Sequence, residues 1–379
     1  MSSVYTVYGN SDLDNQIDSD MKLIVRTALE TLPEKDVTAI ILGGGYGRGQ
    51  GGVGFKNGNM TLYNDYDMFM VTNNISRNQK SEYLKKIMHA CENLKDKIDI
   101  DVDFGPLKNI NELENIPRTI MYYELKKGHK VIYGDRHILD KLPEYDIGTL
   151  PEEEALNYML NRGVGLLLAS KRLSIKNKNL EDKEFIERNI YKAIMACGDI
   201  FLLFENSYSY SYTERLEAMK TFKNNDVIRE NGFYQYYKDS INYKLKPVNQ
   251  FELLQDKFNY ALKAFENFYL YSFAKYWNTS ITSPEDYYSL LYDKGISSCK
   301  KFKDLPKNLL LNTKIIGLKK FSLKFYLSYP RYRLFFVLPH LLFNFEINDE
   351  IYSKALSIDA KASIEEKIKK YLALWNRFN

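Results

Sequence analysis

The sequence is poor in cysteine and histidine, which argues against several kinds of protein. Its 379 residues include three cysteines and four histidines. The cysteines, Cys91, Cys197 and Cys299, are far apart and odd in number, so a disulfide-stabilised fold is not expected. Without a His/Cys cluster, a zinc site is not expected either. No apolar signal segment follows the first methionine, and we therefore expect a reducing, cytoplasmic setting.

Long apolar runs and a strong net charge are also absent. The longest apolar run, Leu334 to Phe343, is too short to span a bilayer and is interrupted by Pro339 and His340. We therefore expect a soluble protein without integral membrane contact. The net charge of +4 is too small by itself to indicate a nucleic-acid-binding protein.

The composition that remains is that of a globular protein, 45% hydrophobic and 27% charged, and the length suggests two domains or one large domain with an extension. Residues 1–147 alternate between helical and strand-like patterns, whereas residues 148–379 show helical patterns without a convincing strand ladder. We therefore predict an α+β fold, in which a mixed sheet with flanking helices over residues 1–147 is followed by an all-α domain over residues 148–379.

The apolar periodicity also predicts individual elements. Predicted helices of the first domain cover residues 16–32, 81–97 and 118–128. Predicted strands cover residues 37–44, 65–72, 98–104 and 129–135. Long helical patterns in the second domain begin after Thr149 and continue through 184–206, 249–277 and 351–377.

A glycine-rich stretch, "ILGGGYGRGQGG" (41–52), follows the first predicted strand. Backbone N–H groups reach a phosphate closely only where no Cβ intervenes, and a following helix N-terminus adds its dipole. Arg48 within the stretch could bind phosphate or could anchor the loop. The stretch is not a P-loop, because no Gly-Lys-Ser/Thr follows, and its spacing does not fit a dinucleotide fingerprint. It predicts a phosphate-binding turn only in combination with other residues.

Carboxylates recur on the next two predicted strands. Asp65 and Asp67 project to one face of "DYDMFMVT", and Asp99, Asp101 and Asp103 share one face of "IDIDVDF". Crowded carboxylates repel each other, and folding tolerates them mainly where cations lie between them. Oxygen-only ligation suits Mg²⁺ or Mn²⁺, and two such ions roughly 3.5–4 Å apart commonly serve displacement at phosphorus. Either acidic motif taken alone is more typical of a solvated strand face.

Three motifs in this order, "GGYGRG" (44–49), "NDYDMFMV" (64–71) and "VDFGP" (102–106), resemble the nucleotidyltransferases of the DNA polymerase beta superfamily. Gly44 and Gly45 match the Gly-Ser turn of that family. Asp65 and Asp67 match its metal-binding pair, and Asp103 matches its third carboxylate. Asp103 is preferred to Asp101 because Pro106 resembles family members that read Asp-x-x-Pro. "KVIYGD" resembles the strand that closes the catalytic domain in the aminoglycoside-modifying branch, where a helical domain follows.

The resemblance implies a nucleotidyltransferase-type mixed sheet and an enzyme that transfers NMP from an NTP to an acceptor nucleophile, with release of pyrophosphate. Mg²⁺ or Mn²⁺ would be the cofactor, held by Asp65, Asp67 and Asp103 with Asp101 as a further ligand. The implied nucleotide-binding residues are Gly44, Gly45, Tyr46, Gly47 and Arg48. Lys192 in the helical half is a candidate for the triphosphate, with a helix–helix salt bridge as the alternative.

Two departures from the family pattern concern the turn. The family serine is Gly45 here, so its hydroxyl donor is missing. The interval to Asp65 is longer than usual, and we predict a small hairpin within it, with Asn57-Gly58 as its turn.

The acceptor is predicted to be a small molecule or a sugar-like compound. Alternatives are a nucleotidyltransferase toxin acting on protein or tRNA, and a non-catalytic nucleotide-binding adaptor on the same scaffold. Residues 305–345 contain no acid but seven basic residues among many aromatics. This basic segment, with its lysines and arginines between 307 and 333, could bind an anionic partner such as RNA, a phosphorylated glycan or a membrane surface. The commoner explanation is a solvated helix face over an apolar core.

Overall fold

The computed structural model describes residues 4–56, 58–296, 304–317, 323–359 and 361–378. The chain forms two compact units. The first unit consists of Met1–Leu150, Ser207–Asp226 and Lys238–Val248, and the second consists of Pro151–Asn206, Val227–Tyr237 and Asn249–Asn379.

The first unit is built on a small mixed sheet. Its strands are β1 (Val37–Leu42), β4 (Asp65–Thr72), β5 (Asp101–Phe104), β6 (Lys108–Asn109) and β7 (Lys130–Gly134), and β2 (Gly52–Lys56) and β3 (Asn59–Tyr63) form a separate hairpin. The sheet order is β5-β4-β1-β7, and β6 also pairs with β4. Strand β1 runs antiparallel to both β4 and β7, whereas β5 and β6 run parallel to β4.

Helices make up most of the rest. The first unit contains α1 (Ser11–Thr31), α2 (Gly44–Gly47), α3 (Arg77–Glu92), α4 (Ile120–Lys127) and α7 (Tyr212–Thr221). The second contains α5 (Glu153–Leu173), α6 (Leu180–Phe204), α10 (Leu254–Trp277), α11 (Pro284–Asp293), α12 (Leu305–Ile316), α13 (Leu323–Leu327), α14 (Leu338–Phe343), α15 (Asp349–Leu356) and α16 (Ile364–Phe378). α8 (Asp226–Arg229) and α9 (Phe233–Leu245) cross the division between the units.

Short 3-10 helices connect these elements. They span Glu34–Asp36, Ile110–Asn115, Ile138–Lys141, Ile147–Thr149, Glu230–Gly232, Phe251–Leu253 and Pro330–Phe336. Within the described ranges, every helix is too short or too polar to cross a lipid bilayer.

Local sequence explains the helices that lie against the sheet. Asn10 caps α1 by accepting a hydrogen bond from the Leu13 N–H, and Ser76 with Gln79 forms a capping box at the start of α3. The buried apolar residues of α1 recur at helical spacing: Leu13, Ile17, Met21, Ile24 and Ala28. This stripe belongs to the core of the first unit, together with side chains of β1, β4 and α3.

The predicted fold class, a mixed sheet with flanking helices followed by a helical region, is confirmed. Strand β4 has the predicted bounds, and β1 is buried along nearly its whole length, as a central strand requires. The predicted hairpin is present as β2 and β3, with Gly58 at φ +82° in its turn. Asn57, the other predicted turn residue, lies outside the described residues.

Several predicted elements were wrong in extent, among them the strand over 37–44, which ends at Leu42, and the helix over 81–97, which spans Arg77–Glu92. The strand predicted over 98–104 begins only at Asp101, because β4 begins at Asp65, the partner of Asp101, and leaves residues 98–100 nothing to pair with. The helical pattern over 351–377 forms two helices, α15 and α16. Ser357 ends α15 in the left-handed region at φ +56°.

The division into units differs in detail from the predicted domains. The first long segment extends to Leu150, close to the predicted residue 147. The first unit also contains residues 207–226 and 238–248, which the sequence assigned to the helical domain. Polar contacts across more than 160 residues of sequence, such as Gln50 Nε2 to Ser211 Oγ at 3.0 Å, hold the first of these segments in place.

Candidate active site

The predicted acids of β4 and β5 lie side by side. The parallel register pairs Asp65 with Asp101 and Asp67 with Asp103. Neighbouring strands are about 4.8 Å apart, and side chains two residues apart on one strand share a face. Four carboxylates on two adjacent strands therefore lie together on one face of the sheet.

The glycine turn lies directly against Asp67. The Gly43 N–H donates to the Asp67 carbonyl oxygen at 2.8 Å. Gly44 has φ +56°, a conformation that residues with a Cβ rarely adopt, and a Cβ at this position would overlap Asp67 Oδ2. Residue 44 must therefore be glycine for two reasons: its backbone conformation and the close approach of the Asp67 carboxylate.

The same turn starts α2, a single turn of helix from Gly44 to Gly47. The first N–H groups of a helix have no acceptor within it. The free N–H groups at the start of α2 could donate to an anion. They lie next to the Asp67 carboxylate, whose negative charge also needs a partner. A phosphate with a bound cation satisfies both requirements.

Crowding perturbs the carboxylates. Burial and then the charge of Asp65 raise the pKa of Asp67 to about 6, while Lys244 and Arg48 act in the opposite direction. By surface area the Asp67 residue is exposed. Its pKa therefore reflects protein atoms that crowd around it and not enclosure in the core.

The neighbours of Asp67 show the same crowding. Burial, Asp65 and Asp101 raise the pKa of Asp103 above its usual range. The buried Oδ1 of Asp65 has no hydrogen-bond partner among the described residues. Repelling carboxylates and an orphaned buried oxygen are features that a bound cation would stabilise.

The donor chemistry fits Mg²⁺ or Mn²⁺, because all the acidic donors are oxygens. In the described part of the chain, no group of three or more His, Cys, Asp or Glu side chains is arranged to hold a metal ion. Mg²⁺ in nucleotide enzymes is usually held by one or two carboxylates together with substrate phosphates and water. Asp65 and Asp67 would suffice for such a site.

Asp99 and Asp101 have other partners. Asp101 lies 3.7 Å from Lys95 in an ion pair whose two side chains are exposed. Asp99 precedes β5 and accepts a hydrogen bond from Gln16 at 3.2 Å. These contacts favour Asp103 over Asp101 as the third carboxylate of the site.

Arg48 has the contacts of a loop anchor, one of the two roles that the sequence left open. Its Nη1 lies 3.1 Å from Glu124 Oε2 and donates to the Tyr210 carbonyl oxygen at 3.2 Å. Its Nη2 donates to the Tyr212 hydroxyl at 3.2 Å, and its guanidinium lies over the Tyr212 ring. Only 6% of the side chain is exposed. A phosphate could bind Arg48 only if the arginine left Glu124.

Tyr46 and Gly47 also support the turn from within. The Tyr46 hydroxyl donates to the Gly52 carbonyl oxygen at 2.8 Å and accepts from the Tyr63 N–H at 3.0 Å. Tyr46 is therefore buried under the β2–β3 hairpin and can offer a ligand only its backbone. A Cβ at Gly47 would overlap the Leu42 carbonyl oxygen, so this glycine serves the close packing of α2 on β1.

Sequence reasoning missed two charged residues of the site. Glu124 on α4 bridges Arg48 and Arg215, and these partners hold its pKa down at about 2. Lys244 near the end of α9 acts on Asp67 electrostatically and forms no salt bridge with any described residue. A lone acid between the buried Tyr123 and Leu125 was the only local signal for Glu124, and Lys244 had none.

Lys192 lies on α6 in the second unit, and its role at the triphosphate stays a prediction.

No protein-family model and no curated protein matches this sequence. A solved nucleotidyltransferase is similar in outline. It is the spectinomycin adenyltransferase AAD(9) from Enterococcus faecialis with ATP and spectinomycin, at a TM-score of 0.37 and 15% identity over 66% of this chain and 98% of that chain.

Proposed function

We propose that this protein is a metal-dependent nucleotidyltransferase, which transfers NMP from an NTP to an acceptor nucleophile and releases pyrophosphate. The approach of Gly44 to Asp67 is the observation that supports this most directly. At this contact, a turn without room for a side chain lies against three neighbouring acids. A metal-bound triphosphate could bind the turn through its phosphates and the acids through its metal ion.

In this proposal Asp65 and Asp67 hold the divalent ion. A bound ion would neutralise charge on the triphosphate and on the departing pyrophosphate. The backbone N–H groups of Gly44, Gly45 and Tyr46 donate hydrogen bonds to phosphate oxygens. Since Gly45 replaces the family's serine, this cradle has only main-chain donors in the turn.

Asp103 acts on the acceptor. It accepts the proton of the attacking hydroxyl as that oxygen forms its bond to the α-phosphorus. The bond from the α-phosphorus to the bridging oxygen breaks, and its electron pair leaves with pyrophosphate. Asp103 is suited to this role because it lies beside Asp67 in the register but on the edge strand β5.

Lys244 supplies positive charge to the same site. It belongs to the first unit and lies close enough to Asp67 to lower the pKa of that carboxyl. A triphosphate bound at Gly44 would gain from this charge without displacing an existing salt bridge.

We further propose that the acceptor is a small molecule or a sugar-like compound. The modest net charge of +4 supports this choice, since a large nucleic-acid substrate is usually bound through a strongly basic surface. Mass spectrometry after incubation with labelled NTPs and a cell extract would identify the adduct.

The test of the activity is pyrophosphate release from each NTP with Mg²⁺. We expect release by the wild type and its loss in Asp65→Asn and Asp67→Asn. Asp101→Asn is the matched control, because Asp101 is an acid on the same face of the sheet that pairs with Lys95, and it should retain most activity. Binding of an NTP without metal and without pyrophosphate release would instead support the adaptor.

A further inference from the structure

Helix α12 is oriented with polar side chains inward. Asn308 and Asn312 are buried, at 4% and 1% exposure. The Asn308 amide donates to the Leu327 carbonyl oxygen at 3.0 Å, and the Asn312 amide donates to those of Tyr326 and Ser328, both at 2.9 Å. These bonds tie one face of α12 to the α13 segment and determine which face points outward.

The outward face carries exposed leucine together with lysine. At about 100° per residue, Leu310 lies roughly opposite the midpoint of Asn308 and Asn312. Leu310 is 55% exposed and Leu309 is 39% exposed. In a water-soluble helix the apolar residues normally face the core. In α12 two asparagines are buried while Leu310 is exposed, and the hydrogen bonds of the asparagines hold the helix in this orientation.

Lysines surround the exposed leucines. Lys307 and Lys314 are exposed on α12, and Lys324 is exposed on α13 beside Leu323, which is 69% exposed. No acid occurs between residues 305 and 345, although Asp304 lies at the N-cap of α12 and the Lys324 ammonium donates to the Asp293 carbonyl oxygen at 2.6 Å. Lys319 and Lys320 belong to the same basic segment but lie outside the described residues.

The aromatic residues of the segment do not form a platform for nucleic-acid bases. Single-stranded nucleic acids stack on exposed rings. None of the described aromatic residues between 305 and 345 is exposed, and most are buried: Phe325, Tyr326, Tyr332, Phe335, Phe336 and Phe345. The exposed residues are instead mainly leucines and lysines, the composition of a helix that lies in a lipid interface.

We propose that α12 and the start of α13 dock this protein onto an anionic lipid surface. Leu309, Leu310 and Leu323 enter the boundary between headgroups and acyl chains, and the lysines contact anionic headgroups. Charge complementarity carries the choice of partner, because exposed leucines beside lysines, in a segment without acids from residue 305 to 345, fit anionic lipid. This docking is independent of the proposed reaction, since Asp65, Asp67 and Asp103 take no part in it.

Flotation of the full-length protein with vesicles tests the proposal. We expect binding to vesicles rich in phosphatidylglycerol and weak binding to pure phosphatidylcholine. The double variant Lys307→Gln with Lys314→Gln should weaken binding roughly thirtyfold, because the attraction of a lysine to anionic lipid is lost at both sites. The matched control, Lys176→Gln with Lys369→Gln, removes two exposed lysines of the second unit outside the segment and should bind as the wild type does.

The leucines distinguish lipid from other polyanions. Leu309→Ser with Leu310→Ser should lose vesicle binding, whereas the exposed Leu180→Ser should not. Equal vesicle binding by the leucine variant, or preferential binding of RNA over vesicles, would overturn the proposal. So would a failure of the wild type to float with anionic vesicles.

Tryptophan fluorescence tests the same insertion with a variant that is expected to keep binding to vesicles. Leu310→Trp should show a blue-shifted emission on addition of anionic vesicles, because the indole enters the interface. Leu180→Trp should show no shift. An unchanged spectrum for Leu310→Trp would contradict insertion of this face.

Discussion

A Cβ at Gly44 would overlap the carboxylate of Asp67, and Gly44 also has φ +56°. The turn and the acid therefore depend on each other, although 22 positions separate them in the sequence. Any side chain at residue 44 would have to move either the turn or the proposed metal-binding residue.

Gly44→Ala should therefore strongly slow nucleotidyl transfer. Displacing Asp67 by about an ångström would cost roughly a hundredfold in rate. Gly58→Ala is the matched control, because Gly58 has φ +82° but a Cβ there would meet nothing within 4 Å. Both variants should lose about 1–2 kcal/mol of stability from backbone strain. The measurements are pyrophosphate release and urea unfolding, and full activity in Gly44→Ala would contradict the proposed site.

Glu124→Gln should destabilise the first unit. The variant leaves Arg48 and Arg215 without their shared carboxylate. Unpairing a buried charge costs about 3 kcal/mol. The cost should be somewhat lower here, because about a quarter of the Glu124 side chain is exposed. Glu82→Gln removes an exposed i,i+4 partner of Lys86 and should cost less than about 0.5 kcal/mol. Equal urea midpoints for the two variants would show that the buried cluster contributes little.

The pH dependence of unfolding should show the same cluster. The folded-state pKa of Glu124, about 2, lies below its ordinary value of 4.5. Its contribution is therefore complete above about pH 4.5 and is lost as the pH falls toward 2. The stability difference between wild type and Glu124→Gln should shrink over that window. A difference that stays constant from pH 6 to pH 2.5 would show that Glu124 is not held ionised.

Asp20 should have the opposite dependence. It accepts a hydrogen bond from the buried Tyr66 hydroxyl at 2.8 Å, and burial raises its pKa to about 6 from an ordinary 3.8. A raised pKa of an acid lowers stability as the pH rises from about 4 to 6. Asp20→Asn should remove this decline, measured by urea unfolding at each pH. A decline that persists in Asp20→Asn would assign it to another group.

Removal of divalent ions tests the proposed cofactor. EDTA should stop pyrophosphate release, and Mg²⁺ or Mn²⁺ should restore it. Binding of Mn²⁺, measured by electron paramagnetic resonance in the presence of NTP, should weaken in Asp67→Asn and remain in Asp101→Asn. Full activity in EDTA would contradict the metal-dependent mechanism.

The elements predicted correctly were those determined by neighbouring residues. Strand β4 followed from alternation between residues 65 and 72, and the β2–β3 hairpin followed from its glycine turn. The tertiary structure was needed where pairing partners decide. Strand β5 begins at Asp101 only because β4 begins at Asp65, and no local pattern contains that limit.

By itself, the sequence determined the chemistry that is available: glycines without side chains, acids at alternate positions and a basic segment without acids. The tertiary structure alone decided which of these residues meet. It bound Arg48 to Glu124, brought residues 207–226 back to the first unit, and turned Asn308 and Asn312 of α12 inward. The physical reason is that a local pattern reports the neighbours within one turn or one strand, whereas buried charges and amides are satisfied by partners far along the chain.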